Sequence, residues 1–412
     1  MTTMRRQSSS HSETVSWLCI VLMGIISAIH IWKLPPSLDS LSSELGIELV
    51  QAGILIGIIQ VASIIGGLPT AWMGERLGLR RVILAGMVLL SFGSILGALA
   101  SSPAMIFISR AVEGIGFLFC VVLGPALLRD RFEPPHVHRA LTAWATFQGL
   151  AAFIGFTVGT FVVPEFGWRP MWIGAACITL LLIPFVISLV PKDPAGSVGD
   201  AAASGATKTW QLVRVTISRS GPWLAGAIFA CYSIQWMAVL GFLPRIYEQY
   251  GIQQPGAGLM SAFVGGVNIV GALGAGVLAH KGVKEKHLLI GALGAMAVTS
   301  FGLFAIPWQQ TSHPALATFL FAVAFSAIGG AAPMLLTRMI GELAQPNGSS
   351  AVVMGLMQQI FNLGNFLGPF LIAWFAVKTG GWESSWMLTG TFSLLGIAGT
   401  MILLKEKPER ES

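Results

Sequence analysis

The sequence contains few charged residues, and this scarcity excludes an ordinary soluble domain. Asp, Glu, Lys and Arg make up 10% of the 412 residues, against about 25% in a typical soluble domain. The charges are also clustered, so that ten runs contain none of them: 14–32, 49–74, 82–109, 140–164, 170–191, 220–244, 249–280, 287–337, 343–377 and 384–404. A helix needs about 20 apolar residues to cross the hydrocarbon of a bilayer. The runs therefore predict membrane-spanning helices.

Several kinds of chemistry have no residues to support them. The four cysteines, Cys19, Cys120, Cys177 and Cys231, lie singly within apolar runs and show no pairing or metal-ligand spacing, so we expect small packing residues and no metal. No nucleotide-binding loop and no Ser/His/Asp set is found, so we expect neither a cofactor nor an enzyme. The net charge of +6 is explained by basic cytoplasmic loops, and no nucleic-acid partner is expected.

The apolar runs predict twelve spans and an all-α membrane protein. Run 82–109 breaks at residues 101–103, and run 287–337 breaks around residues 308–314. A further apolar stretch, 104–128, is interrupted only by Arg110 and Glu113. The polar residues 1–16 precede span 1 without a cleavage site, so we expect that span to be retained.

The distribution of Lys and Arg predicts the orientation of these spans. With the N-terminus inside, the inner segments hold nineteen of these residues, the outer segments hold Lys33, Arg169, Arg245 and Lys378, and Arg110 lies within a span. Basic residues favour the cytoplasmic side. We therefore expect both termini in the cytoplasm and a multi-pass protein of a bacterial inner membrane, surrounded by lipid and monomeric.

The two halves of the chain resemble each other. Four features recur in the same order at offsets of about 205 to 214 residues: Leu34-Pro35 with Leu243-Pro244, Gly46-Ile47 with Gly251-Ile252, Ala52-Gly53 with Ala257-Gly258, and Gly167-Trp168 with Gly381-Trp382. This repeat predicts a six-helix domain over 1–191, a cytoplasmic linker over 192–219 and a second six-helix domain over 220–412.

Two motifs resemble those of the major facilitator superfamily. Residues 71–81, between spans 2 and 3, resemble its loop pattern G-x-x-x-D-R-x-G-R-R/K-R/K, with departures at Ala71, Glu75 and Leu79. Residues 110–116 resemble the R-x-x-x-G-x-G pattern of its span 4. The resemblance implies two six-helix repeats around a central cavity, lined by spans 1, 4, 7 and 10 with spans 2, 5, 8 and 11 beside them.

A narrower resemblance is to the cyanate and nitroimidazole transport branch of that superfamily. It rests on residues 110–116 followed by Pro125, on Trp144 in span 5 and on the turn at residues 167–169. The nitrate branch would place an Arg in spans 2 and 8, where this sequence has none. The antiporter signature of span 5 is incomplete, since Gly149, Gly155 and Gly159 are not followed by Gly-Pro.

Arg110 and Glu113 are the candidates for chemistry within a span. Charges in hydrocarbon cost about 2.5–3.5 kcal/mol each on insertion scales, and the i,i+3 spacing places both on one helical face. Arg110 is expected to hold an anionic group while Glu113 carries a proton; the alternative is a structural ion pair. His30 is either a packing residue or part of a proton path. Lys33 is expected to extend to the membrane interface.

Polar residues halfway along the spans form a second set of candidates. An amide at this depth either joins helices or lines a cavity, and Tyr232 and Trp236 either stack on a flat solute or pack the bundle. The predicted substrate-binding residues are Arg110, Glu113, His30, Gln148, Tyr232, Gln235, Trp236 and Asn362. The loop residues Glu75, Arg76 and Arg80 are predicted to act in gating; the alternative is a loop that only sets topology.

These observations predict a secondary transporter for a small, anionic solute, working by alternating access with protons as the coupling ion. One alternative is a multidrug or metabolite efflux antiporter of the same fold, which a large aromatic cavity would favour. Another is a sensor that binds without transporting, which substrate counterflow in proteoliposomes would separate from a transporter.

Overall fold

A computed structural model describes residues 2–193, 213–311, 313–344 and 348–405. Its helices are α1 (Thr2–Trp32), α2 (Leu38–Leu45), α3 (Leu49–Gly57), α4 (Val61–Leu77), α5 (Leu79–Ala98), α6 (Pro103–Arg131), α7 (Pro134–Trp144), α8 (Phe147–Phe166), α9 (Arg169–Leu189), α10 (Ser220–Gln249), α11 (Gly256–His280), α12 (Glu285–Phe304), α13 (Pro314–Gly329), α14 (Ala331–Arg338), α15 (Ile340–Leu343), α16 (Ser350–Thr379) and α17 (Ser385–Lys405). Short 3-10 turns cover Pro35–Ser37, Ile58–Gln60 and Trp308–Gln310.

Twelve segments of the described chain are long and apolar enough to cross a membrane, as the charge-free runs predict. Three of them join more than one helix. The first passes from α1 through the turn at Pro35–Ser37 into α2. The second passes from α3 through the turn at Ile58–Gln60 into α4, and the tenth passes from α13 into α14. Large apolar side chains such as Phe92, Leu181 and Val298 are exposed, as expected for helices that face lipid.

Contacts divide the chain into two compact units. Unit 1 comprises residues 1–46 and 61–203, and unit 2 comprises residues 47–60 and 204–412. The grouping differs from the predicted domain limits because α3 lies with the second unit. Most of the predicted linker, residues 194–212, lies outside the described residues, and the limits 1–191, 192–219 and 220–412 remain predictions.

In unit 1, α5 packs closely along α6 because glycines line the contact. A Cβ at Gly86 would lie 2.9 Å from the carbonyl oxygen of Gly116, and a Cβ at Gly97 would lie 2.4 Å from the hydroxyl oxygen of Ser109. α1 packs against α6, α8 and α9, and α9 also packs against α5. This arrangement brings α1, α5, α6 and α9 around one interior.

In unit 2, α16 is the central helix and packs against α10 on one side and α3 on another. The backbones of α3 and α16 lie very close together. A Cβ at Gly53 would lie 2.5 Å from the carbonyl oxygen of Pro369, and a Cβ at Gly57 would lie 2.5 Å from that of Phe366. Such short distances require glycine, as in other close helix crossings in membranes.

The repeat between the halves is visible in the backbone. Gly46 and Gly251, paired in the sequence comparison, both have positive φ, at 67° and 81°. Gly78, between α4 and α5, and Gly282, between α11 and α12, also have positive φ, at 98° and 89°. Since glycine adopts this region readily, these two pairs of glycines share a positive φ at corresponding places in the two halves.

Candidate functional site

Four ionisable side chains meet in the interior of unit 1. His30 lies in the last turn of α1, and Lys33 follows directly after it, with its backbone N–H still bonded to the carbonyl oxygen of Ile29. Arg110 and Glu113 come from α6. All four are fully buried, with 0% relative exposure. Their spacing explains the meeting, because residues i and i+3 share a helical face and each helix contributes one such pair. We call His30, Lys33, Arg110 and Glu113 the buried charge cluster.

Glu113 is the centre of the cluster. Its Oε2 accepts a hydrogen bond from Nη1 of Arg110 at 2.7 Å. Its Oε1 contacts Nδ1 of His30 at 3.0 Å and also accepts a hydrogen bond from Nζ of Lys33. A Cβ at Gly93 on α5 would lie 2.8 Å from Cγ of Glu113, so a glycine at this position leaves room for the carboxylate.

Lys33 has further contacts with α5 and α9. Its Nζ donates to Oγ of Ser94 at 2.6 Å and lies 4.7 Å from the ring centroid of Trp172. The prediction that Lys33 extends to the membrane interface is wrong, because the side chain turns inward to the carboxylate and the aromatic ring, which compensate an ammonium better than hydrocarbon does.

His30 is held at both ring nitrogens. Nδ1 faces Glu113, and Nε2 lies 2.9 Å from Oγ1 of Thr179 on α9. The backbone carbonyl oxygen of His30 in turn accepts from Nη1 of Arg110. The ring therefore links three helices, and both interpretations of His30, packing residue and proton path, are consistent with these contacts.

Arg110 uses only part of its hydrogen-bonding capacity. The guanidinium makes two hydrogen bonds, and Nη1 donates both of them, one to Glu113 and one to the backbone carbonyl oxygen of His30. Nε and Nη2 are buried and have no hydrogen-bond partner among the described residues. These two nitrogens form one edge of the planar guanidinium, the edge that grips a carboxylate through two parallel bonds.

The cluster carries an unbalanced charge when every group is ionised in the usual way. Arg110 and Lys33 are cations, Glu113 is the single carboxylate among these four residues, and a neutral His30 adds nothing. Excess charge in a sealed interior costs several kcal/mol per ion. The arrangement is therefore suited to an additional anion or to the loss of one proton.

A second polar group lies in unit 2 around α10. Tyr232 and Trp236 stack with ring centroids 6.4 Å apart, and Nε1 of Trp236 donates to Oγ of Ser326 at 3.1 Å. Nδ2 of Asn268 donates to the hydroxyl oxygen of Tyr232 at 3.2 Å and to the carbonyl oxygen of Ser326 at 2.9 Å. The result is a small aromatic face with its polar atoms already paired.

Three other predicted binding residues lie apart from these two groups within their own units. Gln148 accepts from Nε1 of Trp32 at 3.0 Å. Gln235 is fully buried and its Oε1 accepts from Ser393 on α17 at 2.8 Å, so it joins two helices. Asn362 accepts from Gln358 on its own helix at 3.4 Å.

At the loop motif, the predicted gating residues have unequal surroundings. Glu75 and Arg76 are exposed, and the guanidinium of Arg76 lies 4.3 Å from the ring centroid of Trp72. Arg80 is buried and its Nη2 donates to the carbonyl oxygen of Ile187 on α9. The backbone N–H of Arg80 donates to Asp193 at 3.1 Å.

Asp193 was missed by the sequence analysis. Its carboxylate accepts from the backbone at the start of α5 and pairs with Arg131, at the end of α6, at 2.9 Å. An acidic residue near a helix N-terminus is a general stabilising feature, but its partner helices are more than 60 residues away in sequence. The sequence motif alone therefore could not indicate it.

Lys33, Ser94 and Thr179 were also missed as members of the cluster. The spacing of His30 and Lys33 matches that of Arg110 and Glu113, and this shared i,i+3 pattern was the available signal. Ser94 and Thr179 give no such signal, because a single hydroxyl in a span is common and usually bonds to its own helix.

Comparison with known proteins agrees with the fold. A family model described as Major Facilitator Superfamily matches residues 17–359. The 2-nitroimidazole transporter of Escherichia coli (strain K12) is 25% identical over 370 residues, covering 87% of this chain and 88% of the relative.

Two solved structures share the architecture. A bacterial homologue of the human lysosomal transporter Spinster, in an inward-facing and unoccupied conformation, has a TM-score of 0.79 at 14% identity, covering 97% of this chain and 99% of its own. A D-xylose–proton symporter has a TM-score of 0.76 at 18% identity, covering 96% and 98%. Since the family model spans most of the chain, this multi-pass membrane protein is a transporter rather than an enzyme, and it belongs to the Major Facilitator Superfamily.

Proposed function

We propose that the protein is a secondary active transporter that moves a small anionic solute across a bacterial inner membrane by alternating access, with a proton as the coupling ion. The observation that carries this proposal is the free edge of Arg110. A fully buried guanidinium whose Nε and Nη2 have no partner among the described residues matches a planar pair of oxygens. The solute class is therefore a small molecule with a carboxylate-like group.

The likeness to a 2-nitroimidazole transporter supports a small, flat solute. A nitro group presents the same planar pair of oxygens as a carboxylate, with less charge. Within unit 2, Tyr232 and Trp236 form an aromatic face of a kind that suits a flat molecule, and Asn362 offers an amide there. Within unit 1, Gln148 offers an amide. We propose that His30 and Glu113 adjust the charge of the site and that Gln235 holds α10 against α17.

Access to Arg110 requires movement within unit 1. The side chain is fully buried in this conformation, enclosed by α1, α5, α6 and α9. Binding therefore requires a state in which at least one of these helices opens the cluster. An ion pair that stays sealed would be a structural lock, which is the alternative that the following experiment separates.

The test is ligand binding to detergent-purified protein, measured as thermal stabilisation by benzoate, 2-nitroimidazole and cyanate. Benzoate and 2-nitroimidazole present planar oxygen pairs, whereas cyanate is linear, so we expect benzoate to stabilise most and cyanate least. Arg110→Lys keeps the charge but loses the planar edge, and we expect benzoate binding about tenfold weaker. Arg110→Gln removes the charge and should abolish binding.

Arg169→Gln is the matched control, because Arg169 is a half-buried arginine of the same unit that pairs with Glu44 near the ends of their spans, apart from the buried charge cluster. It should bind benzoate as the natural sequence does. A folded Arg110→Gln protein that keeps near-native benzoate affinity would reduce Arg110 to a structural ion pair. Counterflow of benzoate in proteoliposomes then separates a transporter from a sensor, which gives no counterflow.

An efflux antiporter is the second candidate, favoured by the aromatic column on α10. Phe229 lies 4.2 Å from Phe361 between ring centroids and stacks on Tyr232, which stacks on Trp236. Such a surface suits larger aromatic solutes. Proton-driven accumulation of 2-nitroimidazole in inverted rather than right-side-out vesicles would favour efflux.

A further inference from the structure

We propose that Lys33, rather than Glu113, carries the proton that moves with the solute anion. The inference rests on the proposed function, because it takes the anion to bind at the free edge of Arg110. Lys33 was predicted to lie at the membrane interface. Its place in the buried charge cluster comes from the fold.

The requirement for zero net charge indicates the charge of Lys33 in two states of the site, one without solute and one with a bound anion. With Glu113 and Arg110 ionised and His30 neutral, the cluster has no net charge when Lys33 is an uncharged amine. When an anion occupies the edge of Arg110, the cluster has no net charge when Lys33 is an ammonium. Because excess charge is costly in a sealed interior, arrival of one anion favours uptake of one proton at Lys33.

The contacts of Lys33 suit both states. The hydroxyl of Ser94 donates to the carbonyl oxygen of Trp172 at 2.7 Å, so its oxygen accepts from Lys33. Glu113 accepts a second hydrogen, and Nδ1 of His30 lies 3.4 Å from Nζ. An amine has two hydrogens for Ser94 and Glu113, whereas an ammonium adds a third hydrogen and a charge that faces the ring of Trp172.

The other groups around Lys33 are worse proton carriers. The charged or titratable neighbours are His30 on α1 and Arg110 and Glu113 on α6; α5 contributes Ser94, and α9 contributes Trp172 and Thr179, none of which titrates. Arg110 keeps its proton in proteins. Protonating Glu113 would take from Arg110 the carboxylate that it contacts at 2.7 Å. A charge on His30 would lie close to the guanidinium of Arg110, which bonds to the His30 carbonyl oxygen.

The sign of the pH dependence follows by linkage. If anion binding takes up a proton at Lys33, raising the pH depopulates the binding-competent state. The apparent Kd of the anion should then rise by up to about tenfold per pH unit. A permanent cation at position 33 should remove this dependence and keep affinity high, whereas a permanent neutral group should remove it and keep affinity low.

The first measurement needs no solute. Protein labelled with carbon-13 at the lysine ε-carbons reports the charge of each amine by NMR. The Lys33 signal is assigned by its loss in Lys33→Arg, and Lys378→Arg, at an exposed lysine of α16, is the control assignment. At about pH 8, where a lysine side chain in water is an ammonium, we expect Lys33 as a neutral amine. An ammonium signal for Lys33 in the solute-free protein would overturn the proposal.

The second measurement is proton uptake on addition of benzoate, followed with an indicator dye in weakly buffered solution. The natural sequence should take up about one proton per benzoate bound, and Lys33→Met and Lys33→Arg none. Lys33→Met leaves the Glu113–Arg110 pair intact, and Lys33→Arg preserves the charge. Uptake of a proton by both variants would assign it to another group. If benzoate does not bind the natural sequence, the proposed solute class fails, while the NMR spectrum still decides the charge of Lys33.

Discussion

Glu113 contacts an unusual number of ionisable side chains for one buried residue in a membrane protein. A single carboxylate faces the guanidinium of Arg110, the side-chain nitrogen of Lys33 and the imidazole of His30, all fully buried. Burying an ion pair is not by itself a stability gain, because desolvation offsets the attraction. Removing one partner of a buried ion pair does change stability, because it leaves the charge of the other partner buried and uncompensated.

We predict that Glu113→Gln destabilises the protein by about 3–5 kcal/mol, the usual cost of an uncompensated buried charge. The amide preserves size, so the loss reports charge rather than packing. Glu75→Gln is the control, because Glu75 is exposed and should change stability by less than about 0.5 kcal/mol. Denaturant unfolding in detergent measures both. Equal stability of the two variants would show that Glu113 is not the centre of the cluster.

Part of the site could be predicted at this scale and part could not. The spacing of Arg110 and Glu113 predicts their pairing, and the structure has it at 2.7 Å. The direction of the Lys33 side chain was predicted wrongly, because a lysine near a helix end can extend to the membrane interface or turn into the protein interior. The choice depends on Ser94 and Trp172, which are distant in sequence.

At the scale of helices, the loop motif lies where the ends of three helices, α5, α6 and α9, come together. The start of α5, the end of α6 and the segment after α9 meet at Asp193, and Arg80 adds a bond to the carbonyl of Ile187 on α9. We propose that Glu75, Arg76 and Arg80 act in gating, in that bonds at this junction form and break as the transporter changes conformation.

We predict that Arg80→Ala slows benzoate counterflow several-fold and leaves the equilibrium Kd within about threefold. The loop lies about half a membrane thickness, roughly 15 Å, from a mid-membrane site, so it should alter the rate of exchange between states more than binding itself. Arg81→Ala, at an exposed neighbour in the same turn, is the control. Loss of benzoate binding by a folded Arg80→Ala protein would contradict a gating role.

The spans themselves follow from the sequence because hydrocarbon tolerates few charges, and all twelve are found. The grouping of the spans into two units does not follow from the sequence. Residues 47–60 precede α4 in the chain yet pack in unit 2, where Gly53 and Gly57 approach the backbone of α16. Two glycines four residues apart indicate a close helix contact, but they do not name the partner helix.

At the scale of the whole molecule, basic residues provide the only information on orientation. Nineteen Lys and Arg residues fall in segments on one side of the predicted spans and four on the other. Apolar length alone would allow either orientation, whereas a bias of this size favours placing the richer side in the cytoplasm. The twelve spans make this comparison meaningful, because one missed span would exchange the sides of every later segment.

We predict that both termini and residues 192–219 are cytoplasmic, and that residues 33–48 and 244–255 are outside. The test uses a background in which Cys19, Cys120, Cys177 and Cys231 are replaced. Asp200→Cys in intact cells should resist a membrane-impermeant maleimide and react only after the membrane is permeabilised. Gln253→Cys, at an exposed position between α10 and α11, should react in intact cells. Strong labelling at position 200 without permeabilisation, together with protection at position 253, would reverse the orientation of every span.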